Sequence, residues 1–261
     1  SVNQIMSVTV VTVTSGKGGV GKTTVTVGLA NRLAASGYRV GILDTDLHGP
    51  NVAKMLKVDL ASRFGEGPDG MLKPVEAGKN LWIAGVDSAM EDRDDAVIWR
   101  GPMKSMVIND LLARVAWGPL DYLFIDSPPG SGDEQITVCK SIPELTGSII
   151  VTTAQEVSLL DAIRSVTFCR KMGIAIIGIV ENMSRLDCPH CGNSIHVFGS
   201  DGGRKIAQKT GAPYLGSIPL TIHGEDGEGG YDGIGDALSS IAAILMDGMD
   251  CSTGTGTQKG E

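Results

Sequence analysis

Ten consecutive residues, Ser15, Gly16, Lys17, Gly18, Gly19, Val20, Gly21, Lys22, Thr23 and Thr24, carry the densest chemistry in the chain. Gly16, Gly21, Lys22 and Thr23 satisfy the spacing GxxxxGK followed by a hydroxyl residue. In that pattern glycines allow backbone N–H groups to turn inward around a polyphosphate. Lys22 would reach the terminal phosphates, and the hydroxyl of Thr23 suits a Mg2+ ligand. A helix that begins here would set its positive end against the anion. Lys17 is a second lysine inside the loop that an ordinary phosphate-binding loop does not require.

Three further acidic residues, at two strand ends, belong with this loop. Asp44 and Asp46 open the run Asp44, Thr45, Asp46, Leu47, His48, Gly49, Pro50, Asn51, and on a continuing strand two residues of spacing points both carboxylates the same way. Such an acid can hold a metal-bound water or orient the water that attacks a terminal phosphate. Asp126 closes an apolar run, Leu123, Phe124, Ile125, and precedes Ser127, Pro128, Pro129 and Gly130. An acid there can hold Mg2+ through water, and the stiff loop after it can sense the terminal phosphate.

Cys188 and Cys191 form a CxxC pair, followed by Gly192, in a loop spanning about residues 186–196. Two thiolates at this spacing suit a tetrahedral metal or an iron–sulfur centre but supply only half the usual ligands. Two copies at a twofold axis would supply four. His190 and His196 could instead complete a zinc site within one chain. Cys139 and Cys169 fall in helical patterns and read as small hydrophobes, and Cys251 stands alone near the end. Five cysteines without a disulfide framework fit a reducing, cytoplasmic setting.

The elements that must position these residues are legible as a repeating pattern. Strand-like runs occur at 8–14, 39–44, 81–85, 122–126, 147–152, 174–180 and 214–218. Helical spacing occurs at 22–36, 103–116, 134–141, 159–172, 204–210 and 234–246. The alternation predicts an α/β fold of three layers, a mostly parallel sheet flanked by helices, with ligands at the strand C-terminal edge. The phosphate loop, Asp44, Asp126 and the cysteine loop all fall on that edge. Residues 1–250 read as one domain, residues 59–80 as a surface excursion rich in Gly, Pro and charge, and residues 251–261 as a disordered tail.

Bulk properties narrow the partners. Lys and Arg number 22 against 30 Asp and Glu, a net charge of −8, so no global basic field draws in nucleic acid or an anionic membrane. The apolar runs are too short to span a bilayer, and no basic segment followed by an apolar stretch opens the chain, so secretion is not expected.

The loop with its extra lysine, the run from Asp44 to Asn51, Arg100 to Met103, Asp126 to Gln135 and Glu181, Asn182, Met183, Ser184 together resemble the Mrp/Nbp (ApbC-like) family of P-loop ATPases with a deviant Walker A motif. That family lies within the group containing MinD, ParA and the nitrogenase iron protein. The resemblance implies a slow ATPase that forms an ATP-dependent homodimer. It implies that Lys17 reaches the partner subunit's phosphates, that Lys22 acts on the phosphates in the same chain, and that Asp46 is the water-activating or switch carboxylate. Residues 16–24 would hold ATP, Thr23, Asp46 and Asp126 would serve Mg2+, and Asn182 would contact adenine, its amide offering a donor and an acceptor. Cys188 and Cys191 would bridge a 4Fe-4S cluster between subunits for transfer to apoproteins, with zinc as the other occupant. A MinD- or ParA-like positioning switch with a structural zinc is the alternative; it calls for a basic C-terminal helix or basic face, and 234–246 shows none. The stretch after Ile218, Pro219 and Leu220 departs from the family pattern, which leaves Thr221 to Glu225 without an inferred role.

Overall fold

In the computed structural model, residues 8–47, 49–59, 70–85, 101–130, 133–142, 144–188, 190–221 and 232–253 are described. Residues 1–7, 60–69, 86–100, 222–231 and 254–261, with His48, Ser131, Gly132, Pro143 and Pro189, lie outside the described residues, and with them much of the expected excursion at 59–80, Arg100 and most of the expected tail.

Ten strands are described: β1 (Thr9–Thr14), β2 (Val40–Asp44), β3 (Val75–Gly78), β4 (Leu81–Gly85), β5 (Tyr122–Asp126), β6 (Leu145–Thr152), β7 (Ile176–Glu181), β8 (Leu186–Asp187), β9 (Ser194–Ile195) and β10 (Tyr214–Ser217). The helices are α1 (Lys22–Ala35), α2 (Val52–Met55), α3 (Gly101–Arg114), α4 (Asp133–Ser141), α5 (Glu156–Lys171), α6 (Gly202–Thr210) and α7 (Asp232–Thr253). Eight strands make one sheet in the order β10-β7-β6-β1-β5-β2-β4-β3, parallel throughout except for the edge strand β3. This is the expected three-layer architecture.

The helices divide between faces because strand side chains alternate. On β5, Tyr122 and Phe124 join Val11, Val13 and Ile42 beneath α1 and α7. Ile125 joins Val10 and Leu43 on the other face, under Ile108 and Leu111 of α3 and Val138 of α4. Farther along that face Ile150 and Ile179 pack on Ala162 and Val166 of α5 and on Ile206 of α6. Both faces are thus dry, which explains the near-continuous apolar runs of β2, β5 and β6. On α1, a Cβ at Gly28 would fall 2.4 Å from Leu238 Cδ1, so the residue sits at the contact between α1 and α7.

Three expectations are corrected. The excursion at 59–80 is regular at its end: Val75 is buried in β3, and Leu72 is tied to α3's end by Leu72 N–H to Arg114 O (2.8 Å) and Ala116 N–H to Leu72 O (2.8 Å). A four-residue edge strand buries too little to leave a periodic signal. The cysteine loop is a hairpin, with Leu186 opposite Ile195 and Asp187 opposite Ser194. Helix α7 continues beyond 246 through Cys251 to Thr253, so the first three residues assigned to the tail are helical. The strand and helix ends otherwise match to within a few residues, the usual scale of boundary differences.

Candidate functional site

β1 delivers the chain to the phosphate loop, and α1 takes it away beginning at Lys22. The turn between them requires left-handed backbone at Gly19 (φ 79°) and at Gly21 (φ 81°), which caps α1. Gly16 answers a different demand. A Cβ there would fall 2.3 Å from the carbonyl oxygen of Asp161 on α5, a clash with main chain. Lys17, Gly18 and Gly19 are exposed, Val20 is buried, and the first turn of α1 carries no acid, so its positive end remains available to an anion. Among the described residues the Lys17 side chain has no hydrogen bond or ion pair.

Asp126 is the hub. It is fully buried at the end of β5; Oδ2 accepts from Thr23 Oγ1 (2.7 Å) and Oδ1 from Thr26 Oγ1 (2.8 Å). Lys22 Nζ lies 2.8 Å from Asp126 Oδ2 with both groups buried, yet the ammonium's angle does not make a hydrogen bond. The loop lysine is thus ion-paired with the carboxylate at the end of β5. Thr23 and Asp126, two of the residues expected at a Mg2+ site, are brought into direct hydrogen-bond contact. Thr26 is a member that sequence reading missed. The signal was there, since three residues on a helix return to the same face.

Asp44 and Asp126 stand opposite each other in register on β2 and β5. Asp44 does not point the way the two-residue spacing predicts, because its carboxylate is taken up by backbone amides. Its Oδ1 accepts from Asp46 N (3.0 Å), and its Oδ2 from Asn51 N (3.0 Å) and Val52 N (3.1 Å). The strand ends at Asp44, so the two-residue rule fails, and the carboxyl instead organises the turn and the start of α2. Burial, followed by the charge of Asp126, pushes the Asp44 carboxyl up to about 7 against the opposing pull of the Asp46 and Val52 amides and Lys22. Asp46 is half-buried in the same turn.

The loop after Asp126 is pinned to β1's end by Ser127 N–H to Val13 O (3.1 Å) and Gly130 N–H to Ser15 O (2.9 Å). Gln135 in α4 is buried, and its Nε2 donates to Thr14 Oγ1 while its Oε1 has no partner among the described residues. Gln135 closes the run from Asp126 that carries the family resemblance, but residue type alone does not say that it reaches the end of β1. Asn182, at the end of β7, is also buried, and its Nδ2 donates to Val20 O (2.9 Å). The residue expected against a base thus touches the phosphate loop directly.

The cysteine hairpin leaves the same sheet edge. Cys188 N–H donates to Asn193 O (3.0 Å) and Gly192 N–H to Cys188 O (2.9 Å), with Gly192 left-handed (φ 70°). The amides of Cys191 and His190 point at the Cys188 sulfur and, with the Cys191 side chain, hold its thiol below the ordinary value. Cys191 is exposed. Among the described residues no three His, Cys, Asp or Glu side chains gather as a metal site, and His196 Nδ1 lies 3.2 Å from Ser184 O. Among the described residues the hairpin thus presents two thiols without a third such group beside them. Cys139 and Cys169 are pushed up by burial, Cys139 to about 12, as expected of packing residues.

Residues 7–235 match the family model described as NUBPL iron-transfer P-loop NTPase, of the ParA group. An iron-sulfur cluster carrier protein of Pyrococcus horikoshii is 50% identical over 219 residues, 81% of this chain and 74% of that protein. The cytosolic Fe-S cluster assembly factor NUBP2 of Bos taurus is 42% identical over 249 residues, 91% of this chain and 92% of that one. Among solved structures, a nucleotide-binding protein from Archaeoglobus fulgidus in complex with ADP, with cobalt found by PIXE, superposes with a TM-score of 0.73 at 30% identity, covering 91% of this chain and 90% of that one. The septum site-determining protein MinD of Pyrococcus horikoshii with Mg-ADP gives a TM-score of 0.64 at 21% identity over 91% of this chain and 96% of that one, a likeness of fold. By the extent of these matches the chain belongs to the iron-transfer P-loop NTPase family of the ParA group.

Proposed function

We propose that the chain binds and slowly hydrolyses ATP, and that two copies carry a 4Fe-4S cluster between them and pass it to apoproteins. The observation that carries this reading is the pairing, in one chain, of a complete phosphate loop with a two-thiol hairpin, Cys191 exposed and Cys188 half-buried, that has no further clustered ligands among the described residues. A second copy completes the four thiolates. The names of the relatives, an iron-sulfur cluster carrier and a cytosolic Fe-S assembly factor, support the cargo and a cytosolic setting.

At the nucleotide, residues 16–24 supply inward N–H groups and the α1 terminus. Lys22 exchanges Asp126 Oδ2 for phosphate oxygens, and the exposed ammonium of Lys17 is left for phosphates of the partner copy. The oxygen donors of Thr23 and Asp126, already 2.7 Å apart, fit Mg2+, which Asp46 would also serve; the cation would neutralise charge building on the phosphates. Asp46 orients the attacking water, and Asn182 meets the adenine edge. Helix α7 carries Asp232, Asp236, Asp247 and Asp250 and no Lys or Arg, which weighs against an anionic membrane or nucleic acid as partner.

Anaerobic reconstitution with iron and sulfide, read by visible absorption, metal content and oligomer mass, tests the proposal. The parent is expected to take up cluster as a dimer, and Cys188→Ala and Cys191→Ala to lose it. Equal uptake by the variants would sink the carrier reading, and stoichiometric zinc lost on mutation would replace it with a zinc site.

A further inference from the structure

The hairpin and the phosphate loop are connected by a segment only a few residues long. Asn182 Nδ2 holds Val20 O at 2.9 Å, and a Cβ on Gly21 would fall 2.1 Å from that same Nδ2 and 3.6 Å from Met183 Cε. Residues 182 and 183 thus lie against the last two residues of the loop. Met183 itself is left-handed (φ 54°), a conformation that costs a side-chain-bearing residue energy and marks an over-determined position. The next residue is anchored twice, Ser184 N–H and Oγ–H both donating to Ile218 O (3.0 and 3.1 Å). Both stems of the hairpin return to this segment. His196, just past β9, meets Ser184 O, and Gly203 N–H beyond it donates to the buried Glu181 Oε2 at 2.7 Å. The hairpin itself is exposed from Cys191 through Val197.

We infer that residues 181–184 are a strut that couples occupancy of the phosphate loop to the order of the cysteine hairpin, with Met183 as its hinge and His196 as the clasp at the far end. This deepens the carrier reading and rests on it for its purpose: nucleotide changes how firmly the two thiolates are presented. The coupling is mechanical. Phosphates draw the loop's amides inward and fix Val20, whose carbonyl fixes Asn182. A fixed Asn182 confines Met183 and Ser184, and Ser184 holds the hairpin through His196.

Hydrogen exchange on the cluster-free chain, with and without ADP and Mg2+, at a concentration where light scattering gives a monomer, tests this separately from cargo. Addition of nucleotide is expected to slow exchange in residues 186–196 by about threefold or more, because exposed hairpins open locally and report small changes in restraint. Met183→Gly, which relaxes the hinge, and His196→Ala, which opens the clasp, should bind ADP as the parent does while the slowing shrinks below about 1.5-fold. A hairpin that exchanges unchanged while the loop becomes protected would overturn the coupling, and full slowing in both variants would overturn this route. Failure of cluster uptake would instead strike the carrier reading and leave these ratios as measured.

Discussion

Thr26→Val isolates one hydroxyl. Thr26 is fully buried, and its Oγ1 stands 2.8 Å from Asp126 Oδ1 and 3.1 Å from Lys22 O, so valine removes a donor without opening a cavity. A hydrogen bond to a carboxylate contributes about 1.5–3 kcal/mol. The added apolar carbon offsets roughly 0.8 kcal/mol of that. Asp126 keeps Thr23 and Lys22, so the net loss should be about 1–2 kcal/mol. For a chain of this size that is a fall in Tm of about 3–6 °C, read by calorimetry or urea unfolding. A double-mutant cycle with Asp126→Asn then measures the pair, and a coupling of at least about 0.5 kcal/mol is expected. A change within about 0.3 kcal/mol in the single variant, with no coupling in the cycle, would refute the hub reading of Asp126.

Gly16→Ala drives a Cβ into the Asp161 main chain and should cost about 2–3 kcal/mol in urea unfolding, whereas Gly18→Ala, with open space around it, should stay within about 0.5 kcal/mol. The Asp44 carboxyl, raised to about 7 by burial and by Asp126, should titrate near neutrality in nucleotide-free protein when followed by carbon NMR; a midpoint below about 5 would contradict it. Because the folded value lies above the unfolded one, its contribution to stability is complete below about pH 4 and disappears as pH rises through 7. Iodoacetamide at neutral pH should label Cys188 before Cys139 by mass spectrometry, since backbone amides lower the first thiol and burial raises the second. Labelling of Cys139 first would reverse that assignment.

Much of the molecule is legible in its sequence, for reasons that lie in particular residues. Strands buried on both faces must be apolar throughout, so β2, β5 and β6 stand out in the chain. Gly19 and Gly21 mark left-handed turns that few other residues tolerate. Asp126 after three apolar residues could only be a strand end. Gln135 was not legible, because nothing about a helical glutamine says that it reaches Thr14 in another strand. β3 and the short hairpin strands bury too little to impose a period, and α2 is a single turn.

By itself the sequence determined local geometry and side-chain inventory: the strand–loop–helix of residues 9–35, the carboxylates at strand ends and the two thiols at CxxC spacing. Those depend on backbone sterics and on alternation along a strand, both short-range. The tertiary structure alone decided which of two carboxylates faces inward. Asp44 turned to three backbone amides that only the completed fold assembles. It also decided that Thr26 and Lys22 share Asp126 and that Asn182 rests on Val20, contacts separated by 100 residues or more in the chain. Such contacts are set by sheet order, β1 beside β5 and β6, which a one-dimensional pattern does not contain.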